Sequence, residues 1–166
     1  MLDSARKYKE ELKDKLLDIW YDDKYKYYFS SNWHREHTLP DDDWEKMCYV
    51  SLDKDSNILG YISYMIDRNV NSAYSFGAIN FSDNKATFGT DLCKVIDDIF
   101  CKFNMERLEF YVVRGNPIEK SYDKMVTKYG GRVIGIRRKV AKLIDNQIYD
   151  DKIYEILRED YLKNKQ

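Results

Sequence analysis

The chain of 166 residues predicts a single α/β domain, residues 1–166, in which helices cover both faces of a mixed, mainly antiparallel sheet of six or seven strands. Three observations lead to this fold class. The hydrophobic patterns follow the order helix, three strands, helix, strand, helix, two strands. A right-handed crossover through the second helix makes the third and fourth strands parallel. A glycine turn, Thr87-Phe88-Gly89-Thr90-Asp91-Leu92, opens that crossover helix, at the edge where such sheets bind ligands.

The first half of the chain predicts one helix and a meander. Apolar residues recur at helical spacing over residues 4–21, with charged residues between them. The period then changes to that of strands at residues 47–52, 58–66 and 73–81. The turn cluster Asp53-Lys54-Asp55-Ser56-Asn57 separates the first two strands. These three strands therefore form an antiparallel meander.

The second half supplies the crossover and a hairpin. The helix that follows the glycine turn extends to Phe103, and residues 105–113 form a largely apolar strand. After the loop Arg114-Gly115-Asn116-Pro117, a helix runs to Tyr129 and is ended by Gly130-Gly131. Residues 132–144 and 148–157 are two strands, and a short polar tail follows them.

Composition narrows the class of protein. Hydrophobic residues make up 43% and charged residues 34%, which is a soluble globular balance. A net charge of −1 gives no overall field toward nucleic acid or an anionic membrane. Cys48, Cys93 and Cys101 lack metal-site spacing and indicate reduced thiols in a cytoplasmic protein. No apolar run has the length of a membrane span, so no membrane association is expected.

The glycine turn indicates an anion site. The first amides of a helix have no intrahelical partner and point at whatever precedes them. Glycine lets a phosphate approach the backbone closely. One such turn is a weak signal, and its surroundings are what identify it.

Several residues of the second half keep the order of a known pattern. They are Asn116, the helix at 119–129, Lys128-Tyr129-Gly130, Gly135-Ile136-Arg137, Asp151, Tyr154 and Glu159-Asp160-Tyr161. With the glycine turn after the meander, residues 47–161 resemble the GNAT superfamily of acetyl-CoA-dependent N-acetyltransferases. The branch that this pattern resembles most is that of the ribosomal-protein alanine acetyltransferases.

The resemblance implies acetyl-CoA as cofactor and a set of residues that bind it. Strand backbone near residues 79–81 would bind the pantetheine arm, and Asn116 would contact the same arm. The helix amides would bind the pyrophosphate, and Lys85 would add positive charge there. The implied cofactor-binding residues are Ile79, Asn80, Phe81, Lys85, Phe88, Gly89, Thr90 and Asn116. The family motif is Gln or Arg, two residues, Gly, one residue, then Gly or Ala. This chain keeps only the last glycine, Gly89.

The catalytic pattern also departs from the family. Members commonly place a carboxylate near the third strand of the meander, and residues 73–81 contain none. Many use a tyrosine of the last helix as general acid, at the position held here by Val126. Tyr122 lies one turn earlier on the same face and is the candidate. The alternative is that Tyr122 simply packs beside Met125 and Tyr129.

The resemblance also implies where the acceptor binds, because in this family the region before the second strand borders the acceptor site. That region contains Trp33, His34 and His37, which we assign as substrate-binding residues. A histidine there can act as a base near neutral pH. The alternative is a solvated loop, and the spacing matches no metal motif. The acceptor is an amine, whether a protein N-terminus, a small molecule or an aminoglycoside.

Two functions remain open at this stage. The first is N-acetyl transfer by direct attack of the amine on the thioester in a ternary complex. The second is a catalytically inactive binding module with the same fold. The basic hairpin residues favour a solvated surface over RNA binding, and its edge strands offer a pairing surface for a homodimer. The hairpin cations are Arg132, Arg137, Arg138, Lys139 and Lys142.

Overall fold

The computed structural model describes residues 1–20, 22–28 and 39–165. Seven strands form one sheet in the order β1-β2-β3-β4-β5-β7-β6, and every neighbouring pair is antiparallel except β4 and β5. The predicted fold class is therefore confirmed. The strands are β1 (Leu2–Ser4), β2 (Lys46–Leu52), β3 (Ile58–Asp67), β4 (Ser72–Asn80), β5 (Arg107–Val113), β6 (Arg132–Lys142) and β7 (Ile148–Leu157).

Four helices cover the two faces. Helix α1 (Lys9–Asp18) packs on one face of β2 and β3, where Leu12 and Leu16 join a buried cluster. The other three pack on the opposite face around the larger core, which includes Phe100, Phe110 and Tyr154. Because helices with apolar stripes cover both faces of the sheet, a single sheet is enough to build the core. These three helices are α2 (Lys85–Asp97), α3 (Glu119–Lys128) and α4 (Arg158–Asn164).

The N-terminal prediction was wrong in detail. The helix expected over residues 4–21 is preceded by β1 and by a 3-10 turn, Ala5–Tyr8, and α1 itself is ten residues long. Pairing of β1 with β2 overrides the helical pattern here, since it satisfies the free edge of β2. The expected helix end at Tyr21 lies outside the described residues.

The start of α2 also differs from the prediction. The helix begins at Lys85, four residues before Gly89, because the Asn84 side chain caps it by accepting the Thr87 amide at 3.1 Å. Gly89 therefore lies in the second turn and not in a turn before the helix. After Asp97 the helix continues as a π-helical turn, Asp98–Lys102.

The C-terminal elements confirm one prediction and correct another. Helix α3 ends where expected: Gly130 has φ +73°, and the Gly131 amide reaches the Val126 carbonyl at 2.8 Å. The residues predicted only as a short polar tail form α4. Its Tyr161 ring stacks on Phe100 with centroids 4.6 Å apart, which anchors this last helix to the core. None of the helices in the described ranges could serve as a transmembrane span.

Candidate functional site

The central parallel pair is joined only at one end. Strands β4 and β5 are in register at Ser72 and Ala73, opposite Arg107 and Leu108, and then separate. The separation follows a β-bulge in β4, where Ser75 adopts a left-handed φ of +51°. A bulge bends its strand and increases the local twist. Beyond Ala73 the two strands therefore diverge into a wedge that opens at their carboxyl ends.

The wedge contains a cavity of about 150 Å³. Four tyrosines from different parts of the chain contribute to its wall, and no acid, base or histidine does so within the ranges that the structure describes. The site is thus aromatic and uncharged as far as these residues show. Its lining residues are Tyr27, Tyr28, Ser75, Phe76, Gly77, Ala78, Tyr111, Val112, Val113, Asn116, Ile118 and Tyr122.

Beyond Ala73, the β5 side of β4 has no strand partner among the described residues. Phe81 donates its amide to the Leu59 carbonyl of the β3 side at 2.8 Å. Successive residues of a strand direct their backbone groups to opposite sides. Asn80 and Ala78 therefore direct theirs toward β5, which has already diverged. Of the three backbone positions predicted for the pantetheine arm, Asn80 faces the wedge, whereas Ile79 and Phe81 face β3.

Tyr122 both packs and lines the cavity. Its ring makes edge-to-face contacts with Phe110 and Tyr154, with centroids 5.2 and 6.3 Å apart. Burial, and then the nearby Tyr28, raises the pKa of Tyr122. Its hydroxyl has no hydrogen-bond partner among the residues described. A phenol in this position stays protonated near neutral pH and keeps its ability to donate a hydrogen bond.

Asn116 stands at the rim of the same cavity. Its side-chain oxygen accepts the Ile118 amide at 3.1 Å, and its own amide reaches the Val113 carbonyl at 3.1 Å. These bonds fix the loop between β5 and α3. The Asn116 side-chain nitrogen has no partner in the described part of the chain.

A charge cluster that sequence reasoning missed holds α3 against the sheet. Lys152 of β7 contacts Asp123 at 2.6 Å and Glu119 at 3.3 Å, and the Tyr154 hydroxyl donates to Asp123 at 2.8 Å. The hydrogen bond from Lys152 holds the pKa of Asp123 below its ordinary value. The acids stand four residues apart on one helix face, which was a visible signal. Their partner on β7, Lys152, could not be identified from the sequence pattern. This cluster fixes the helix that carries Tyr122.

The residues predicted to bind pyrophosphate lie in and around the first turns of α2. Phe88 packs its ring against Gly60, leaving no room for a Cβ there, and its amide reaches the Asn84 carbonyl at 3.3 Å. The Thr90 hydroxyl donates to the Ala86 carbonyl at 3.0 Å. Gly89 and the exposed Lys85 complete the set. The Phe88 amide is thus not free, because the helix starts earlier than expected.

The remaining predicted contacts divide into two groups. The acceptor residues Trp33, His34 and His37 lie outside the described residues. Arg137 and Asp151, which belong to the resemblance pattern, meet across β6 and β7 at 2.8 Å. Asp151 is buried, which raises its pKa. The Arg137 guanidinium stacks 4.7 Å from the centre of the Tyr111 ring, so this pair supports one wall of the cavity.

Comparisons with known proteins agree on the architecture. The spermidine/spermine N-acetyltransferase SpeG from Vibrio cholerae superposes with a TM-score of 0.64 and 21% identity, over 75% of this chain and 72% of that one. A chimera of SpeG and hSSAT gives 0.62 and 18%, over 93% and 82%. The chain has the GNAT fold. Neither a family model nor a curated protein sequence matches it.

The GNAT fold gives the wedge its context. The resemblance in fold is confirmed, whereas the ribosomal-protein alanine acetyltransferase branch stays a prediction. At about one-fifth identity the superposition concerns architecture, so activity has to be argued from the site. The wedge and its cavity fit the thioester arm of acetyl-CoA. The start of α2 does not fit its pyrophosphate, because most amides there are already bonded.

Proposed function

We propose that this protein is an N-acetyltransferase that moves an acetyl group from the thioester of acetyl-CoA to a primary amine. The observation that carries the proposal is the β4–β5 wedge, with Tyr122 in the wall of its cavity. The GNAT fold and the titles of its structural neighbours, which name spermidine N-acetyltransferases, support the same reaction class.

The reaction proceeds in one transfer step. The neutral amine nitrogen attacks the thioester carbonyl carbon, a C–N bond forms, and the C–S bond breaks. The departing thiolate takes a proton from the Tyr122 hydroxyl, the amide nitrogen releases its extra proton to water, and the Tyr122 phenolate regains a proton from water, which restores the neutral enzyme. Placing the amine against the carbonyl can supply roughly 7–11 kcal/mol of the barrier, so a carboxylate base in the cavity wall is not required.

Specific residues hold the reactants in this proposal. Backbone of Asn80 and the neighbouring Ala78 binds the amides of the pantetheine arm, and Asn116 donates to the same arm. Tyr28 and Tyr111, both partly exposed at the cavity, border the entry of the amine. Trp33, His34 and His37 stay proposed acceptor contacts, and the acceptor is a protein N-terminus or a small amine.

A second candidate function is a binding module that has lost acetyl transfer. The observation that favours it is the uncharged lining of the cavity, in which no base was found among the described residues. In that case the wedge binds a ligand without turning it over. Turnover, and not binding, separates the two functions.

The first experiment is a calorimetric titration with acetyl-CoA, followed by an amine screen that measures release of free thiol. We expect micromolar binding and turnover with at least one amine. The blocking variant Ala78→Trp, which fills the wedge, should lose binding, and Val70→Trp, on the exposed turn before β4, should retain it. Binding without turnover on any amine would favour the binding module. No binding at millimolar donor would remove the acetyltransferase proposal.

A further inference from the structure

The two parts of the expected CoA site, the wedge and the start of α2, differ in how many of their backbone groups already have hydrogen-bond partners. In the described part of the chain, the backbone of β4 beyond Ala73 has no partner on its β5 side, whereas the segment before α2 forms hydrogen bonds within itself. A pyrophosphate site at a helix N-terminus needs amides that point outward without partners. The hydrogen bonds of residues 80–88 therefore decide which part of a CoA thioester this chain recognises.

The beginning of this segment is folded around Asn80 and Ser82. The Asn80 side-chain oxygen accepts both the amide and the hydroxyl of Ser82 at 3.0 Å. The Ser82 hydroxyl in turn accepts the Asn84 amide at 3.2 Å. Two amides that a phosphate would use are thus engaged in an internal turn.

The first helical turn is equally occupied. The Lys85 amide reaches the Asp83 carbonyl at 2.9 Å. Asn84 accepts the Thr87 amide on its side chain and the Phe88 amide on its carbonyl, at 3.1 and 3.3 Å. Five of the seven amides from residue 82 to residue 88 therefore have partners inside the segment, on the bonds that the structure describes. A phosphate could gain them only by breaking these internal bonds, the Asn84 helix cap among them.

The charge of the segment points the same way. Lys85 is its only basic residue, and Asp83 opposes it with a fully exposed carboxylate. Lys24 approaches that carboxylate at 3.9 Å. A pyrophosphate carries two negative charges and would meet no excess positive charge within the segment.

Gly89 gives an independent indication. Its φ is not left-handed, and a Cβ added there would meet no atom within 4 Å. The fold itself places no demand on glycine at this position. Gly89 thus provides a position where a side chain can be added without a clash at its Cβ, next to the segment predicted to bind the pyrophosphate.

We propose that this site recognises its acyl donor through the pantetheine thioester and not through the nucleotide of CoA. The inference rests on the proposed acetyl transfer. A pantetheine thioester without a nucleotide, whether free or carried on a phosphopantetheinylated protein, then serves as donor as well as acetyl-CoA does. The chemistry balances as before: the C–S bond breaks, the C–N bond forms, and pantetheine leaves as the thiol.

The test compares three donors on the full chain by calorimetry and by thiol release. These are acetyl-CoA, acetyl-pantetheine and an acetylated holo-carrier protein. We expect acetyl-pantetheine to bind within about threefold of acetyl-CoA. A carrier-bound arm that binds more tightly than free pantetheine identifies a protein source, and equal affinity identifies a small molecule. Acetyl-CoA binding roughly 30-fold or more tightly than acetyl-pantetheine would overturn the inference and leave the acetyltransferase proposal intact.

Variants make the comparison sharper. Gly89→Glu should leave the ratio of the two affinities unchanged, and loss of acetyl-CoA binding alone in this variant would contradict the inference. The double variant Asp83→Asn with Asn84→Gly frees the Thr87 amide and removes the opposing charge, so it should gain affinity for acetyl-CoA only. Asp18→Asn, an exposed charge change on α1, is the matched control. Failure of every donor to bind overturns the proposed function and this inference together.

Discussion

At the scale of single residues, Tyr122 answers a question that its spacing left open. Packing and catalysis were alternatives for this side chain, and the structure allows both. Its ring lies between Phe110 and Tyr154, while its hydroxyl has no partner in the described chain and the residue lines the cavity. Packing in a helical apolar stripe is therefore compatible with the proposed proton donation by Tyr122.

Replacing Tyr122 by Phe tests its chemical role. The ring packing is kept, so the fold and the affinity for the thioester should not change. Loss of the proton donor should lower kcat by about 10²–10⁴-fold. Because burial raises the pKa of Tyr122 above the ordinary value of 10, the native rate should show no alkaline loss from this group below pH 10. Steady-state kinetics across pH checks both points, and unchanged turnover would remove Tyr122 from the mechanism.

Gly89 leads to a stability prediction. It lies in the second turn of α2, where glycine is less favourable than alanine because it loses more backbone freedom on folding. Gly89→Ala should raise the free energy of unfolding by about 0.5–1 kcal/mol. Urea unfolding measures this change. A destabilised variant would mean that the backbone here is not helical as described.

At the scale of elements, the position of α3 depends on contacts with β7. Lys152 lies between Glu119 and Asp123, and Tyr154 adds a hydrogen bond to Asp123. This arrangement fixes one wall of the cavity. The helix itself is predictable from its periodicity and its glycine end, but its attachment to the sheet is not.

The variant Lys152→Met tests this attachment. It should lower the free energy of unfolding on the order of 1 kcal/mol at pH 7. The pKa of Asp123 is lower in the folded chain than its unfolded value near 4. The stability that ionised Asp123 contributes is therefore fully present above the unfolded pKa and is lost as the pH falls through the folded pKa. The variant should therefore lose less stability than the native chain between pH 5 and about pH 3. Lys120→Met, exposed on the same helix, is the control. An equal loss of stability in that variant would contradict the proposed attachment of α3 by Lys152.

The edge strand β6 bears on the predicted homodimer. Val133, Ile134 and Ile136 are between 40 and 49% exposed on this strand. We expect these side chains, rather than continuous backbone pairing, to form the contact, since register shifts near Val133 and Arg137 interrupt the strand. Light scattering should give a dimer mass that Ile136→Lys reduces to a monomer and Val70→Lys does not. A monomeric native chain would contradict this prediction.

At the scale of the whole molecule, the sheet consists of two halves joined weakly at β4 and β5. The parallel register covers only two residues on each strand, and helices on one face carry the common core across the junction. A thioester arm bound in the wedge would connect both strands. Ligand binding should therefore stabilise the whole fold and not only a local segment.

Thermal unfolding measures this coupling. A donor at about 100 times its Kd adds about 2.7 kcal/mol to the free energy of unfolding. For a chain of this size we expect Tm to rise by about 5–10 °C. The same rise should occur with acetyl-CoA and with acetyl-pantetheine, each at 100 times its own Kd, in one cooperative transition. Separate melting of the two halves would contradict a shared core.

Local signals in the sequence determined most of the fold. The order of the elements, the meander, the crossover and the end of α3 were predictable because periodicity and turn chemistry act between near neighbours. The sequence also contains a signal for the true start of α2, since Asn84 is a favoured helix cap. The mainly antiparallel sheet followed from the same kind of reasoning, whereas Tyr122 became a candidate through the resemblance to the GNAT family.

Only the tertiary structure decided the shape of the candidate site. The bulge at Ser75, the divergence of β4 from β5 and the meeting of Lys152 with α3 depend on contacts between residues far apart in the chain. No local pattern encodes such contacts, because they arise when elements compete for the same space and the same hydrogen bonds. As a result, the segment before α2 forms hydrogen bonds within itself, and β4 and β5 separate into the wedge beside it.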